Sequence, residues 1–412
     1  MDPEGDTCYI VECDLEYPAD LHNLHNDYPL AVERKMIQEC QLSPYNRTFL
    51  EANGEKFLPT RKLIPDLTNK TNYVCSLKNL QFYLKQGLVL KKIHRVLAAS
   101  QSAFLKPYID FNSDKRQKCS SKFESEFFKL CNNSIYGKTI EDLRKRSKVD
   151  IVKEEKTAKR LISRPQFKGF HILDEDVTIV QSMKTKILLN KPIACGFMVL
   201  ENSKNIMCDF WYSVLKPRYG VNIKLLLSDT DSFIYAVYTA DGYQDLYDLR
   251  EYMDLSGYST TSLLAPFRDV TNKKVPGKFS DEKDNEVIKE VIALKPKMYS
   301  VLTKILECKK INHPDYPDHV CDDGCFKGHS VTAKGIKRSA QKSISHDAYK
   351  TTLETAGTTM TTARAIRRIK YNMFTQIVTK RGLSAYDDKK YILKDGVRTL
   401  SYGHYKLQNI EH

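Results

Sequence analysis

Two short apolar runs separated by a five-residue polar turn are the feature that most constrains this 412-residue chain. The first run is Lys224–Leu227 and the second is Phe233–Val237, and the turn between them reads Ser-Asp-Thr-Asp-Ser. Runs of this length on either side of such a turn are typical of a β-hairpin. The pattern therefore predicts a hairpin with two carboxylates, Asp229 and Asp231, at its tip.

Carboxylates at the tip of a rigid hairpin are well suited to binding divalent cations, because ligands on a loose loop drift out of geometry. Phosphoryl transfer to a 3′-hydroxyl group uses two such cations roughly 3.5–4 Å apart, bound by carboxylate oxygens. Aspartates in turns also accept backbone hydrogen bonds without any further role. The hairpin alone leaves both interpretations open, a metal-binding turn and a purely structural one.

The charge balance is the first indication of a binding partner. The chain has 65 Lys and Arg against 51 Asp and Glu, a net charge of +14, and from Lys327 onward it has 17 basic and 6 acidic residues. Such asymmetry is typical of a nucleic-acid-binding surface. A solvated basic surface without a partner fits the charge equally well.

Composition excludes several classes of protein. The apolar fraction of 41% and the charged fraction of 28% are those of a globular chain. No run of 18 apolar residues predicts a membrane span, and the opening Met1–Glu4 lacks the features of a secretory signal. The 11 scattered cysteines favour a reducing compartment over a disulfide framework. These features predict an intracellular protein without membrane contact.

A second motif lies about ninety residues before the hairpin. Lys129–Gly137 reads Lys-Leu-Cys-Asn-Asn-Ser-Ile-Tyr-Gly and resembles motif B of family B DNA polymerases, Lys-x-x-x-Asn-Ser-x-Tyr-Gly. Ser228–Ser232 resembles motif C of the same family, and Lys297 with Tyr299 resembles its later Lys-x-Tyr element. Leu105–Asn112 resembles the protein-primed branch, which serves viruses, linear plasmids and transposons of the Maverick or Polinton type. The three motifs, in this order, resemble the polymerising portion of such an enzyme.

The resemblance implies roles for the residues of motif B and its surroundings. Lys129 would neutralise the incoming triphosphate, and Arg116 or a neighbouring lysine would be a second clamp on it. Tyr136 would lie against the nascent base pair and Asn133 on the nucleotide, while Gly137 would permit close backbone approach. Without the resemblance to this family, Lys129 would be interpreted as an exposed cation on a helix and Tyr136 as a half-buried aromatic residue.

The resemblance also implies roles for the two later motifs. Asp231 would be a magnesium ligand, and Asp229 would be its electrostatic partner at the same magnesium site. Lys297 and Tyr299 would grip the backbone at the primer end, a contact that carries no sequence information.

The motif A aspartate of the family has no clear counterpart. In the family this motif reads Asp-x-x-Ser-Leu-Tyr-Pro or, in the transposon branch, Asp-x-Asn-Asn-Leu-Tyr-Gly. In Asp14–Pro18 the spacing from Asp to Tyr is three where the motif needs five. This stretch and His25–Leu30 instead resemble the segment just after motif A in the transposon members. The exonuclease that precedes motif A in the family is also missing, so the resemblance implies a chain truncated at its N-terminus.

A cluster of cysteines and histidines after the Lys-x-Tyr element is a candidate zinc site. The four possible ligands of a tetrahedral Cys₃His site are Cys308, Cys321, Cys325 and His329. The Cys-x-x-x-Cys spacing is looser than the usual Cys-x-x-Cys, and free thiols on a loop are the alternative. His22 and His25 have no Cys or further His near them in the sequence and are expected on the surface.

The fold class implied by the resemblance is α+β, with a palm bearing an antiparallel sheet, helical fingers, and a basic helical thumb-like tail. Residues 1–85 contain Asn, Pro and Asp clusters and are expected to be irregular. An extended hairpin or a small insert is expected around Phe170–Leu173, a helix between Phe197 and Leu215, and a basic helix over Thr361–Lys370. The implied segments are 1–85 (like terminal-protein region 1), 86–138 (fingers with motif B), 139–191 (an insert like terminal-protein region 2), 192–305 (palm with motif C and the Lys-x-Tyr element), 306–330 (Cys/His-rich insertion) and 331–412 (thumb-like tail).

The function implied is DNA-directed DNA polymerisation that depends on Mg²⁺, by an incomplete copy of the enzyme. Primer–template DNA and deoxynucleoside triphosphates would be the partners, together with a terminal priming protein in this branch. The alternative is a catalytically inactive remnant that binds nucleic acid. A reverse transcriptase fits less well, because its hairpin would carry Tyr-x-Asp-Asp.

Overall fold

The computed structural model describes residues 2, 4–283, 285–305, 327–369 and 372–409. The chain divides into two compact units, each built from separate stretches. Unit 1 comprises Met1–Lys129, Leu200–Thr361 and Arg381–His412, and unit 2 comprises Leu130–Val199 and Thr362–Lys380. The motif C hairpin and the Lys-x-Tyr element therefore belong to one unit, unit 1.

The fold is mixed α/β, with small, mainly antiparallel sheets. The helices are α1 (His22–His25), α2 (Pro44–Ala52), α3 (Leu77–Lys85), α4 (Lys106–Lys118), α5 (Lys122–Thr139), α6 (Glu155–Ile162), α7 (Ile193–Asp209), α8 (Lys216–Tyr219), α9 (Gly242–Asp248), α10 (Arg338–Gln341) and α11 (His346–Glu354). The strands are β1 (Thr7–Glu16), β2 (Glu33–Met36), β3 (Arg61–Ile64), β4 (Lys70–Ser76), β5 (Val89–Ser100), β6 (Ser147–Val152), β7 (Phe167–Asp174), β8 (Val177–Met183), β9 (Ile223–Ser228), β10 (Phe233–Val237), β11 (Met253–Asp254), β12 (Phe279–Ser280), β13 (Glu286–Lys295), β14 (Met298–Ile305), β15 (Lys327–Ala333), β16 (Thr358–Ile369), β17 (Asn372–Ser384), β18 (Tyr391–Ile392) and β19 (Thr399–Leu400). In the part of the chain that the structure describes, no helix is long and apolar enough to cross a membrane.

The central strand of the N-terminal sheet in unit 1 is β1, which pairs antiparallel with β4 on one side and with β5 on the other. Val11, Cys13 and Leu15 are buried, and the residues between them are partly exposed. This alternation follows from the two-residue period of a strand, which turns successive side chains to opposite faces. The expectation that residues 1–85 are irregular was wrong, because their turn-forming clusters separate short regular elements.

The helix predicted between Phe197 and Leu215 is confirmed. It forms as α7 and continues directly into a π-helical segment over Phe210–Leu215. Met207, Trp211 and Leu215 are buried in the largest hydrophobic core of unit 1. This core also takes side chains from β1, β4 and α3, so the helix packs on the N-terminal sheet.

Unit 2 contains the three-stranded antiparallel sheet β6-β8-β7, with α6 packed against it. The hairpin expected around Phe170–Leu173 is confirmed, since β7 and β8 pair antiparallel up to Asp174 opposite Val177. Val152, Leu161 and Val180 form the small core between sheet and helix.

The basic segment near the C-terminus is a pair of strands, β16 and β17. The expectation of a helix over Thr361–Lys370, and with it of a helical tail, was wrong for this segment. Threonine and isoleucine recur along β16, and such β-branched side chains favour strands because their χ1 rotation is restricted in helices. Residues 358–384 contain six basic and no acidic residues. The tail also contains the short helices α10 and α11.

Hydrogen bonds join the N-terminal and C-terminal stretches of unit 1. The side chain of Asn26 donates to the carbonyl of Thr399 at 3.2 Å and accepts from the amide of Ser401 at 2.9 Å. The amide of Tyr405 donates to Nδ1 of His22 at 3.0 Å. Unit 1 is therefore assembled from residues near both ends of the described chain.

Candidate active site

The hairpin predicted from the sequence is present, because β9 and β10 pair antiparallel with Ser228 opposite Phe233. The amide of Asp229 donates to the carbonyl of Ser232 at 3.1 Å, and the amide of Ser232 donates back at 3.3 Å. The φ of Thr230 is 61°, the sign that a type II′ turn requires at its first central position. A tight four-residue turn therefore closes the hairpin.

The strained residue of this turn lies between the two candidate carboxylates. A positive φ is unusual for a β-branched residue, and such strain costs on the order of 1–3 kcal/mol. Thr230 holds this conformation between Asp229, which is half-buried, and Asp231, which is exposed. Both carboxylates therefore lie at the hairpin tip, as the sequence predicts.

Aromatic packing anchors the hairpin to the core of unit 1. The ring of Phe233, at the start of β10, meets the ring of Tyr28 edge to face with centroids 5.2 Å apart. The same ring lies 5.6 Å from that of Trp211, which is fully buried. The tip therefore projects from a packed base, which is the kind of support that a preorganised site needs.

The Lys-x-Tyr element reaches the same tip. Lys297 lies in the two-residue turn between β13 and β14, where Lys295 is opposite Met298. Its Nζ lies 2.8 Å from Oδ2 of Asp229, and the hydrogen bond and charge of Asp229 raise the pKa of Lys297. The ammonium therefore stays charged. The structure brings together two motifs that are about seventy residues apart in the chain.

This ion pair was not anticipated from the sequence, although a two-residue connection between apolar runs is a recognised hairpin signal. The other member of the element, Tyr299, is half-buried on β14, opposite Ala293 and Thr332.

Motif B lies on α5. This helix ends at Thr139, two residues after Gly137. Lys129, Asn133 and Gly137 are four residues apart and so lie on one face of this helix. These three residues are exposed, while Tyr136 is half-buried. Open space surrounds the Cα of Gly137, since a Cβ there would meet no atom within 4 Å among the residues described.

Arg116, the second triphosphate clamp suggested by the sequence, lies in the last turn of α4 in unit 1. Its Nε is buried and has no hydrogen-bond partner among the described residues. Its carbonyl accepts a hydrogen bond from Nζ of Lys274 at 3.2 Å, which holds the end of the helix in place. A buried guanidinium N–H without a partner is suited to an anionic acceptor.

Asp14, the closest counterpart of the motif A aspartate, is engaged within the N-terminal sheet. Its Oδ1 accepts from the amide of Asn72 at 2.8 Å and lies 2.8 Å from Nε2 of His94. The hydrogen bond from Asn72 and then the contact with His94 hold the pKa of Asp14 below its usual range. These contacts give the carboxylate a structural role on β1.

The donor set at the hairpin tip fits magnesium only in part. Among the residues that the structure describes, no group of three His, Cys, Asp or Glu side chains could hold a metal ion. Asp229 and Asp231 alone are a suitable pair for one Mg²⁺, which keeps several waters and is commonly bound by one or two carboxylates together with substrate phosphates. The pair fits one magnesium ion rather than a complete two-metal site.

Three of the four candidate zinc ligands lie in a stretch that the structure does not describe. Cys308, Cys321 and Cys325 lie outside the described residues. His329 lies on β15 opposite Leu302 and is exposed. The zinc site stays a prediction.

His22 and His25 are buried, so the expectation that they lie on the surface was wrong. The ring of His404 lies 5.6 Å from that of His22, and the hydroxyl of Tyr17 contacts Nδ1 of His25. Burial lowers the pKa of His25 and of His404 to about 4. No local pattern signals this cluster, because His404 comes from the far end of the sequence.

No family model matches the chain, and no curated protein matches it. Solved structures similar to it include two of Phi29 DNA polymerase. One is a post-translocation binary complex with primer-template DNA, with a TM-score of 0.46 and 13% identity, covering 92% of this chain and 50% of that chain. The other is a ternary complex with primer-template DNA and incoming nucleotide substrates, with a TM-score of 0.47 and 14% identity, covering 92% of this chain and 51% of that chain. The chain thus spans about half the length of the structures it resembles, and the likeness concerns the fold alone.

Proposed function

We propose that this chain is the polymerising portion of a protein-primed family B DNA polymerase, and that it lacks a functional motif A aspartate. The reaction is the templated transfer of a deoxynucleotide onto a primer end. The observation that carries the proposal is the meeting of Asp229 with Lys297 at one hairpin tip. These residues come from motif C and from the Lys-x-Tyr element, the two motifs that act at the primer end in the family that the sequence resembles.

The residues at the tip have two roles, metal binding and primer binding. Asp231 and Asp229 hold Mg²⁺, which when bound stabilises developing negative charge on the reacting phosphate. Lys297 and Tyr299 contact the primer backbone, a contact that does not depend on sequence.

The residues that precede the hairpin in the sequence bind the incoming nucleotide. Lys129 and Arg116 neutralise the triphosphate. Asn133 and Tyr136 contact the nucleotide and the nascent base pair, and the open space around Gly137 permits close approach.

The partners are primer–template DNA, deoxynucleoside triphosphates and a terminal priming protein, and the protein works inside the cell, in the nucleus or at a viral replication site. The charge on β16 and β17 supports the DNA contact, because residues 358–384 contain six basic and no acidic residues. Such a strand pair neutralises phosphates irrespective of base sequence.

One observation favours a second candidate, a catalytically inactive remnant that binds nucleic acid. The carboxylate of Asp14 is bound by Asn72 and His94, and no other stretch resembles motif A. Two-metal catalysis needs carboxylates from both motifs. A misplacement of about 1 Å can cost on the order of a hundredfold in rate, and a missing ligand costs more.

Primer extension with Mg²⁺ and all four deoxynucleotides tests whether Asp14 completes the catalytic site, and binding of primed DNA tests both candidates. We expect the chain to bind primed DNA but to extend it at a negligible rate, like its Asp231→Ala variant. Robust extension that both Asp14→Ala and Asp231→Ala abolish would show that Asp14 serves as the motif A carboxylate. A chain that does not bind primed DNA at low salt contradicts both candidates.

A further inference from the structure

Lys297 occupies a backbone conformation that disfavours its own residue type. Its φ is 62°, in the left-handed region, and the φ of Thr230 in the motif C turn is 61°. Glycine or asparagine is the usual choice in this region, because a Cβ is crowded there. A lysine at such a position is strained, and strain of this kind clusters at functional sites.

The contact that this side chain makes is an exposed ion pair. Nζ of Lys297 lies 2.8 Å from Oδ2 of Asp229, and the two side chains are 44% and 34% exposed. Ion pairs this exposed add little to the stability of a fold. The main effect of the contact is therefore local, a positive charge placed against one oxygen of a motif C carboxylate.

A divalent cation bound at this tip is coordinated by the same carboxylates. The ammonium of Lys297 and the cation repel each other, and both need negative oxygens close by. A lysine side chain can readily give up its place at a carboxylate oxygen to a metal cation, because its ammonium is a compact, strongly hydrated charge on a flexible stem. The other oxygen of the Asp229 carboxylate, Oδ1, lies 3.4 Å from the hydroxyl of Thr230.

We propose that Lys297 is a positioning residue that sets the divalent-cation affinity of the Asp229–Asp231 turn. Its ammonium holds Oδ2 of Asp229 and gives that oxygen up when a cation binds. The released ammonium then becomes available to the primer phosphate, so cation binding and primer engagement are coupled. This inference rests on the proposed function, in which the same turn binds Mg²⁺.

Mn²⁺ is the probe for this exchange, since free Mn²⁺ is measured directly by electron paramagnetic resonance in titrations of the full chain. Lys297→Met keeps the length of the side chain and removes its charge. We expect it to bind Mn²⁺ about tenfold more tightly, which is the effect of removing one unit charge roughly 6 Å from a divalent cation in water. Lys297→Arg keeps the charge and should stay within about twofold of the wild type.

The matched control is Lys350→Met, because Lys350 forms a similar exposed ion pair with Glu290 at 3.0 Å, away from the motif C turn. Its Mn²⁺ affinity should equal that of the wild type. An unchanged or weaker affinity in Lys297→Met overturns the proposal, whereas Asp231→Asn must still weaken binding if the turn is the cation site. If Asp231→Asn binds Mn²⁺ as well as the wild type does, the turn is not that site, and the proposed function fails together with this inference.

Discussion

The hydroxyl oxygen of Tyr17 lies 2.8 Å from Nδ1 of His25, inside the core of unit 1. The same hydroxyl accepts a hydrogen bond from the amide of Leu30 at 3.2 Å. One phenol thus orients both a buried histidine and the backbone at Leu30.

Tyr17→Phe should destabilise the fold by about 3 kcal/mol. The substitution leaves the amide of Leu30 and Nδ1 of His25 buried without a partner, and each such loss costs roughly 1–3 kcal/mol. Urea unfolding measures the change. Tyr238→Phe, at an exposed tyrosine, is the control and should differ from the wild type by less than about 0.5 kcal/mol. Equal midpoints for the two variants would contradict the hydrogen-bond assignment.

The stability of the chain should fall as the solution becomes acidic, in part through His25. Burial lowers the pKa of this ring from 6.5 to about 4, so the unfolded chain takes up the proton first as the pH falls. The contribution is complete above about pH 6.5 and is lost progressively towards pH 4. Between pH 7 and pH 5 it amounts to about 2 kcal/mol for this residue.

His25→Gln removes that titration, so the difference in stability between pH 7 and pH 5 should shrink by about the same 2 kcal/mol. Unfolding by urea at the two pH values measures it. His171→Gln, on an exposed strand position of unit 2, should leave the difference as it is in the wild type. A His25→Gln variant with the wild-type pH dependence would show that the ring is not held neutral.

A buried ion network should be among the most sensitive parts of unit 1. Nζ of Lys70 lies 2.7 Å from Oδ2 of Asp66, with side chains 0% and 3% exposed, and Lys35 contacts the same oxygen. Asp66→Asn removes the nearer counter-charge of both ammonium groups and leaves them only Glu33, whose Oε2 lies 3.2 Å from Lys35 and 3.8 Å from Lys70. Breaking a buried pair in this way typically costs about 3–5 kcal/mol. Asp395→Asn breaks a surface pair with Arg398 and should cost under about 1 kcal/mol. Thermal unfolding of the two variants measures the stability that each loses. Similar losses of stability would rule out a special role for the burial of the Asp66 network.

Thr230→Gly should stabilise the fold by about 1 kcal/mol, although it lies at the candidate site. Glycine adopts the positive φ without strain, and this relief exceeds the entropy that glycine adds to the unfolded chain. Thr230→Ala keeps a Cβ at the same φ and should give no such gain. The comparison is made by urea unfolding, and a Thr230→Gly variant less stable than Thr230→Ala would show that the turn is not strained.

The strand pair β16–β17 should supply part of the salt-dependent affinity for DNA. Arg364 and Arg367 are exposed on β16. Replacing both by Gln should lower the slope of log affinity against log salt concentration by about 1.8, as for two lost phosphate contacts. Arg95→Gln, on the exposed β5, is the matched control. Filter binding to primed DNA over a range of salt concentrations measures the slopes, and equal slopes would place the contact elsewhere.

Local patterns predicted those parts of the fold that neighbouring residues determine. The hairpin around Asp229 and the helix ending at Leu215 follow from apolar periodicity within about twenty residues, and both are present. Thr361–Ile369 forms a strand and not the expected helix, because its threonine and isoleucine side chains favour an extended backbone.

The relationships that the sequence could not reveal are those between distant residues. The ion pair of Lys297 with Asp229 depends on two turns that meet only in the folded unit. The burial of His25 depends on packing by Tyr212, whose ring lies 4.9 Å away. Neither contact leaves a periodic signal in one stretch of chain, and both are set by the tertiary packing of unit 1.

The hydrogen bonds of Asn26 with Thr399 and Ser401 have a consequence for how the protein is made. Asn26 and Ser401 are 375 residues apart, so on the ribosome the first emerges long before the second. At about 5–20 residues per second, this interval is on the order of 20–75 s. During this interval the polar and aromatic groups around Asn26 have no C-terminal partner. A partly folded core that exposes such groups is prone to aggregate. The yield of this chain in a cell should therefore depend on the chaperones that reach its N-terminal segment during synthesis.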